Sequence, residues 1–418
     1  MDFSLEFSKN QEEFANEVRT WLEQNIPEGW VNQRDPDKTT HEQWLKRREL
    51  ARKLGAKGWL YPQYPVEYGG GGMDPSQAAV LAREFNSKGL AFPPHYDSGT
   101  LAAPAILATG TEEQKNRFLP PILKGEVFTW QLFTEPEAGT DEANQQTNAL
   151  RHTQDKDFFI INGQKIFVGS TFGPPDQFLL LTRSDLKAAR HENLAMFLAP
   201  ANLPGITINP LDLFTSGLLS QVNGPSADIA PGRKNQVFFD NVRIHESYLI
   251  GGEHDGWRVT GATLAVEHGE RDRGDVGKKE SGGRWISPNV LVDKFLEQCR
   301  NNPVVQESIK NNPQLIEAIV NVYIDAQIMR LFSLRNAAGK GGRYGGPQLQ
   351  LYTKMSGGRL IASMAKVLGP YVLTDDEEWG LADNIFEVGQ RAGLCFAPAG
   401  TPEASKIIIS RGLGIGGR

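Results

Sequence analysis

The feature that most constrains this chain is a change in the period of its hydrophobic residues. The period is helical up to Phe128, strand-like from there to about residue 250, and helical again after Gly256-Trp257. An amphipathic helix repeats its apolar positions about every 3.6 residues and a half-buried strand about every two. One pattern cannot serve the other element, so the chain must fold as helices, then strands, then helices. Before the switch, Phe14, Val18, Trp21 and Leu22 form a stripe over residues 8–26, opened by Ser8 and Gln11 as a capping box. Helical periodicity recurs over 41–57, 76–89 and 98–125. Tyr61-Pro62-Gln63-Tyr64-Pro65 and the run Gly69 to Gly72 mark a loop.

In the β stretch, residues 128–133 are apolar and aromatic without helical spacing. Phe158 to Ile161 and Lys165 to Val168 flank Asn162-Gly163, a pair that predicts a hairpin. Further strands are expected at 177–183, 194–198, 206–208 and 237–239. Beyond Gly256-Trp257, long helices are expected over 313–339 and 347–367, and the Gly- and charge-rich run Asp272 to Arg284 interrupts the first C-terminal helix. The class is therefore α+β, divided into 1–127, 128–250 and 251–418.

Composition excludes several functions. The chain has 418 residues, enough for two or three packed units, with a net charge of -6 that disfavours nucleic acid or an anionic membrane as partner. No apolar run approaches the roughly eighteen residues a membrane span needs, and Met1-Asp2-Phe3-Ser4-Leu5-Glu6 lacks the features of a signal peptide. Cys299 and Cys395 are the only cysteines and form no CxxC, so a reducing, cytoplasmic setting is expected. The seven histidines show no HxxxH spacing, and no metal is expected. GxSxG, P-loop and GxGxxG patterns are absent.

Four segments, in order, carry a resemblance. They are Phe133-Thr134-Glu135-Pro136-Glu137-Ala138-Gly139-Thr140-Asp141, Asn162-Gly163-Gln164-Lys165-Ile166-Phe167, Val237 to Ile244, and Gly400-Thr401-Pro402-Glu403-Ala404-Ser405-Lys406-Ile407-Ile408. Together with Gly256-Trp257 they resemble the acyl-CoA dehydrogenase family over nearly the whole chain. The resemblance implies an N-terminal helical domain, a middle β-barrel-like domain and a C-terminal four-helix bundle. It also implies FAD as cofactor and an acyl-CoA substrate oxidised between its α and β carbons. An electron-transfer flavoprotein or similar acceptor is implied as partner, and so is assembly as a homo-oligomer or as a heterotetramer with a related chain.

The resemblance also implies site residues. Thr134 matches the residue bonded to the flavin ring, flanked by Gln131, Phe133 and Gly139, while Thr140 matches a position near the ring and the CoA arm. Phe167 replaces the usual Trp beside the flavin. The hydroxyl expected after it is either missing, since Val168 and Gly169 hold the next positions, or shifted to Ser170-Thr171, and Gly169 and Ser170 are taken as cofactor positions. Thr401 and Glu403 match the pyrophosphate and adenosine end.

For the base, one branch of the family uses a glutamate where this chain has Ala399, which can offer only its backbone N–H to the thioester oxygen. The other branch places it on the helix opened by Gly-Trp. That position here is Glu267, followed by His268 where Arg is usual, with Glu270 as the alternative one turn later. Without the resemblance, Glu267 reads as a surface residue paired with Arg271. The helix-borne base accompanies branched, cyclic or bulky acyl groups. Family motifs for the adenosine end, "RxxFGxxxxxxQ" and "QxxGGxG", have no counterpart here. Two alternatives therefore stand beside the dehydrogenase. One is a same-fold flavoenzyme of the nitroalkane oxidase or CoA-sulfinate desulfinase type, and the other a non-catalytic or half-site subunit of a two-chain complex.

Overall fold

The computed structural model describes residues 8–28, 41–88, 99–168, 173–211, 234–267, 288–337, 340–373 and 401–415. The chain forms two compact units, Met1–Glu267 and His268–Arg418.

The first unit begins with helices α1 (Lys9–Asn25), α2 (His41–Ala56), α3 (Pro75–Ser87), α4 (Gly99–Thr109) and α5 (Glu112–Leu123). The expected capping box at Ser8 and Gln11 opens α1, with Ala15, Val18 and Leu22 on its buried side. The single helix expected over 98–125 is two. Gly110 stops the first, and Thr111 starts the second with its own capping box to Gln114. Gln114 also acts at long range. Its Nε2 donates to the Leu249 carbonyl at 2.8 Å, and its Oε1 accepts from Gly251 N at 3.1 Å. One side chain thus caps a helix and ties it to the last strand of the sheet.

The strands are β1 (Thr129–Leu132), β2 (Asn148–Arg151), β3 (Phe158–Val168), β4 (Gln177–Arg183), β5 (Leu194–Pro200), β6 (Ile206–Leu211), β7 (Lys234–His245) and β8 (Leu249–Ile250), and α6 (Gly256–Glu267) follows them. They form one mixed sheet in the order β6-β7-β3-β2-β4-β5-β8, with β1 added parallel to β4. The middle strands bury both faces. Along β4, Leu179 and Leu181 join a core shared with α1 to α6, while Phe178 and Leu180 join a second, aromatic core with Trp130, Phe159 and Phe197. In β5, Leu194, Met196 and Leu198 face the first core and Ala195, Phe197 and Ala199 the second. Continuous apolar runs therefore mark these strands, because water touches neither side. Each buried Leu, Met or Phe among them contributes about 2 kcal/mol of burial.

The expected hairpin at Asn162-Gly163 does not exist. β3 runs straight through the pair and stays antiparallel to β7 on both sides, with a bulge between Ile161 and Gly163. Gly163 adopts φ 141, and a Cβ there would lie 2.6 Å from Thr147 Cα. Glycine is required for a bulge and a close strand approach rather than for a turn.

Helix α6 lies against α4 and against β5 and β4. A Cβ on Gly256 would fall 2.5 Å from Leu194 C and 2.6 Å from Ala195 N, so only glycine lets the helix start against β5. Trp257 beside it stacks on His191, centroids 4.4 Å apart and planes at 22°. Both residues of the Gly-Trp pair thus act as docking elements.

In the second unit, α7 (Pro288–Asn301), α8 (Pro303–Asn311), α9 (Gln314–Ala337), α10 (Gly345–Leu368) and α11 (Pro402–Gly412) are the α-helices among the described residues. α9 and α10 pack through Val322, Ala326, Met329, Leu349, Leu360 and Met364. Their contact holds a polar cluster: Asp325 accepts from Tyr352 Oη at 2.6 Å and from Arg359 Nη2 at 3.0 Å. Burial, with the Asp325 bond, pushes the Tyr352 hydroxyl up to about 12.

Substituting Gly256→Ala should overpack the α6–β5 contact and cost about 1–3 kcal/mol. The check is a urea titration, where the midpoint should fall at unchanged slope; a wild-type midpoint would show that α6 does not need the close approach.

Candidate functional site

The segment 133–141 is a loop between β1 and β2, and an ion pair inside the protein sets its shape. The side chains of Lys165 and Glu135 are 0% and 2% exposed and meet at 2.7 Å. Lys165 Nζ also donates to the Phe133 carbonyl at 3.0 Å and to Gln145 Oε1. Glu135 spends its remaining capacity on the backbone: Thr147 N donates to Oε1 at 3.0 Å and Gln146 N to Oε2 at 2.6 Å. Gln145 Nε2 returns a bond to the Phe133 carbonyl at 3.2 Å. Burial pushes the Lys165 ammonium down and the Glu135 charge opposes that. A charge so far from water persists only where opposite charge and hydrogen bonds surround it.

Around this anchor the loop folds tightly. Glu135 N donates to the Ala138 carbonyl at 2.8 Å and Ala138 N to the Glu135 carbonyl at 3.2 Å, which leaves Pro136 and Glu137 exposed on the turn. Ile166 N donates to the Thr134 carbonyl at 2.9 Å, so the loop is sewn to the end of β3.

The end of β3 is where the backbone departs from ordinary geometry. Phe159, Ile161 and Lys165 face inward at odd positions, yet Phe167, also odd, faces outward and Val168 is buried. The pairing with β7 slips between Lys165 and Val168. Phe167 takes up the slip with φ 58, a left-handed conformation unusual for an aromatic residue, and the residue is 49% exposed. The next residue is held in place, because Asn235 Nδ2 donates to the Val168 carbonyl at 3.3 Å.

The structure therefore brings Thr134, Gly139, Thr140 and Phe167 onto one loop and the strand end bonded to it. Thr134 is half-buried, and Gly139 and Thr140 are exposed. A Cβ on Gly139 would meet only Thr134 Cγ2, at 3.9 Å, so packing within the chain does not demand glycine there. Gln131 is half-buried on β1, whereas the Phe133 ring is 4% exposed and belongs to the core. Glu267 is the last residue of α6, and helical register puts its position on the stripe of Gly256, Thr260 and Thr263. Those three are buried. Gly169, Ser170, Glu270 and Ala399 lie outside the described residues. Thr401 and Glu403 belong to the second unit, where Thr401 caps α11 by accepting from Ala404 N at 3.3 Å, and Glu403 lies 3.7 Å from Lys406.

Glu135 and Lys165 both lie within the motif segments, but the sequence alone assigns neither of them a role. A signal does exist in the parity that Lys165 shares with Phe159 and Ile161, which puts a cation at an inward position and calls for a buried carboxylate. Nothing comparable marks Gln145 or Asn235.

Among the described residues no cluster of His, Cys, Asp or Glu could hold a metal ion, and no helix is long and apolar enough to cross a membrane. A cavity of about 290 Å³ is lined by Gln63, Tyr64, Pro104, Leu107 and Ala108, none of them in the loop 133–141 or in β3.

Comparison with known proteins places this arrangement. A model of the acyl-CoA dehydrogenase N-terminal domain matches residues 8–126, and one of the middle domain of the same family matches 131–216. The chain is 30% identical to acyl-CoA dehydrogenase IpdE1 of Mycolicibacterium smegmatis over 333 residues, 77% of each protein. Among solved structures, the Tcur3481-Tcur3483 steroid ACAD superposes with a TM-score of 0.72 at 22% identity, covering 100% of both chains. The ChsE4-ChsE5 complex from Mycobacterium tuberculosis gives 0.69 at 23%, again over 100% of both. With the loop, the helix-opening Gly-Trp pair and the sequence relatives in agreement, the chain belongs to the acyl-CoA dehydrogenase family.

Proposed function

We propose that this chain is a FAD-dependent acyl-CoA dehydrogenase in which Glu267 removes the α proton of a CoA thioester while the β hydrogen leaves as hydride. When bound, FAD supplies the acceptor for that hydride at N5. In this reading residues 1–127, 128–250 and 251–418 serve as N-terminal helical, middle β and C-terminal helical domains.

One observation carries the cofactor assignment: a half-exposed aromatic ring, Phe167, held in a strained conformation beside a loop with exposed Gly139 and Thr140. Strain of this kind persists where a surface must be presented to a ligand. A planar heteroaromatic ring fits such a wall by stacking, and Gly139, free of internal packing demands, lets it approach the backbone. Gln131, the Phe133 and Thr134 segment, Thr140, Gly169 and Ser170 are assigned to the same ring, and Thr401 and Glu403 to the pyrophosphate and adenosine end. Thr140 and the backbone N–H of Ala399 are assigned to the substrate's CoA arm and thioester oxygen.

Support for Glu267 as base comes from its place at the end of α6, in helical register with Gly256, Thr260 and Thr263. The acyl group is assigned as bulky or branched, with a steroid-derived acid the first candidate, because a solved neighbour is described as a steroid ACAD. An electron-transfer flavoprotein or similar acceptor would reoxidise the enzyme. A half-site subunit in a heterotetramer is the second reading, favoured by neighbours whose names pair two chains.

The test is anaerobic mixing of the FAD-loaded chain with acyl-CoA thioesters, steroid-derived and straight-chain, followed by flavin absorbance. Bleaching by the bulky thioester is expected. Glu267→Gln should slow it by about 10^2–10^4-fold while FAD stays bound; near-normal bleaching would remove Glu267 from the role of base. A wild-type chain that takes up no FAD alone, but does so after co-expression with a related chain, would favour the half-site reading.

A further inference from the structure

We infer that the buried Lys165–Glu135 pair, with Gln145, is a positioning device for the cofactor wall: it holds Phe167 in its left-handed conformation with the ring turned outward. The inference rests on the flavin reading above and adds residues that the reading does not use.

A strained residue stays strained only if its neighbours on both sides are fixed. Phe167 is fixed on both sides. On the N-terminal side, Lys165 is bound at once to Glu135, Gln145 and the Phe133 carbonyl, and Ile166 N is bound to the Thr134 carbonyl. On the C-terminal side, Val168 is buried and paired with Asn235 in both backbone register and side chain. Between these anchors the strand must change parity, and Phe167 is the residue at which it does so.

The same pair fixes the other half of the wall. Glu135 receives the N–H groups of Gln146 and Thr147 and opens the tight turn to Ala138, so Thr134, Gly139 and Thr140 are positioned from the same carboxylate. An apolar pair of similar volume would fill the core equally well, but it would not fix two loop N–H groups and a loop carbonyl at once. Lys165, Glu135 and Gln145 are accordingly positioning residues. The carboxylate and amide act on the loop, the ammonium links them to β3, and none of them touches the cofactor in this assignment.

The test is a double-mutant cycle on FAD affinity. Lys165→Met alone strands a buried carboxylate, so the variant used is Glu135→Gln with Lys165→Met, which removes both charges and keeps one carbonyl oxygen for a loop N–H group. It is combined with Phe167→Leu, which removes the ring. Each protein is purified, checked by far-ultraviolet circular dichroism, and titrated with FAD by fluorescence. The absorbance spectrum of bound flavin is recorded as a second readout.

If the pair acts through the wall, the charge-removed variant and Phe167→Leu each weaken FAD by about tenfold, within the range of coupling between contacting groups. The combined variant is then no weaker than either, and the bound-flavin spectrum of both parents shifts the same way. An additive loss in the combined variant, about a hundredfold, overturns the inference and leaves the flavin reading intact. Wild-type affinity in the charge-removed variant does the same. A wild-type chain that binds no FAD, alone or with a related chain, overturns both.

Discussion

A lysine and a glutamate that meet away from water govern the middle of this protein. Desolvating either ion alone would cost several kcal/mol, so their surroundings have almost no freedom. Lys165 and Glu135 meet at 2.7 Å with essentially no exposed side-chain surface, and the adjacent loop supplies the remaining bonds. The consequence is geometric. A segment of exposed Pro, Glu, Gly and Thr, which by composition should be a mobile turn, is held by groups beneath it. The catalytic chemistry proposed here needs such a surface, because stacking and hydrogen bonding to a flat ring tolerate little displacement.

The sheet supplies the rigid base for that loop. β4 and β5 bury both faces, one against the helices and one within the aromatic core. Helix α6 is set against β5 at a separation only Gly256 allows, with Trp257 stacked on His191 at its start. The helix proposed to carry the base and the strand end proposed to carry the wall thus belong to one compact unit.

Much of this is legible in the sequence. The helix start at Ser8 follows from a side chain that reaches its own backbone, a local interaction that sequence displays directly. The β stretch is visible because strands buried on both faces lose alternation and become continuous apolar runs. The Asn162-Gly163 reading fails for a physical reason: glycine permits positive φ in a bulge as readily as in a turn, and only the pairing of β3 with β7 across the whole segment decides between them. The break at Gly110 and the cap at Thr111 go unread because the apolar positions on either side of the polar run 110–117 read as one helical element. Within the site, the residues assigned by resemblance are legible as motif positions, while the bonds that hold them in place join residues distant in sequence. Lys165 can be found from its parity, but Asn235 lies 67 residues from Val168, whose carbonyl it holds, and no local pattern announces it.

The double duty of Gln114 has a consequence for how the protein acquires its structure. The amide that caps α5 also holds the backbone of Leu249 and Gly251, 135 and 137 residues later in the chain. The core beneath the helices takes Leu179, Met196 and Val259 from beyond it as well. During synthesis the helical segment therefore emerges long before its closing partners, with its apolar side uncovered. Completion of the first unit must wait for α6, so the nascent chain passes through an interval in which chaperones have something to hold.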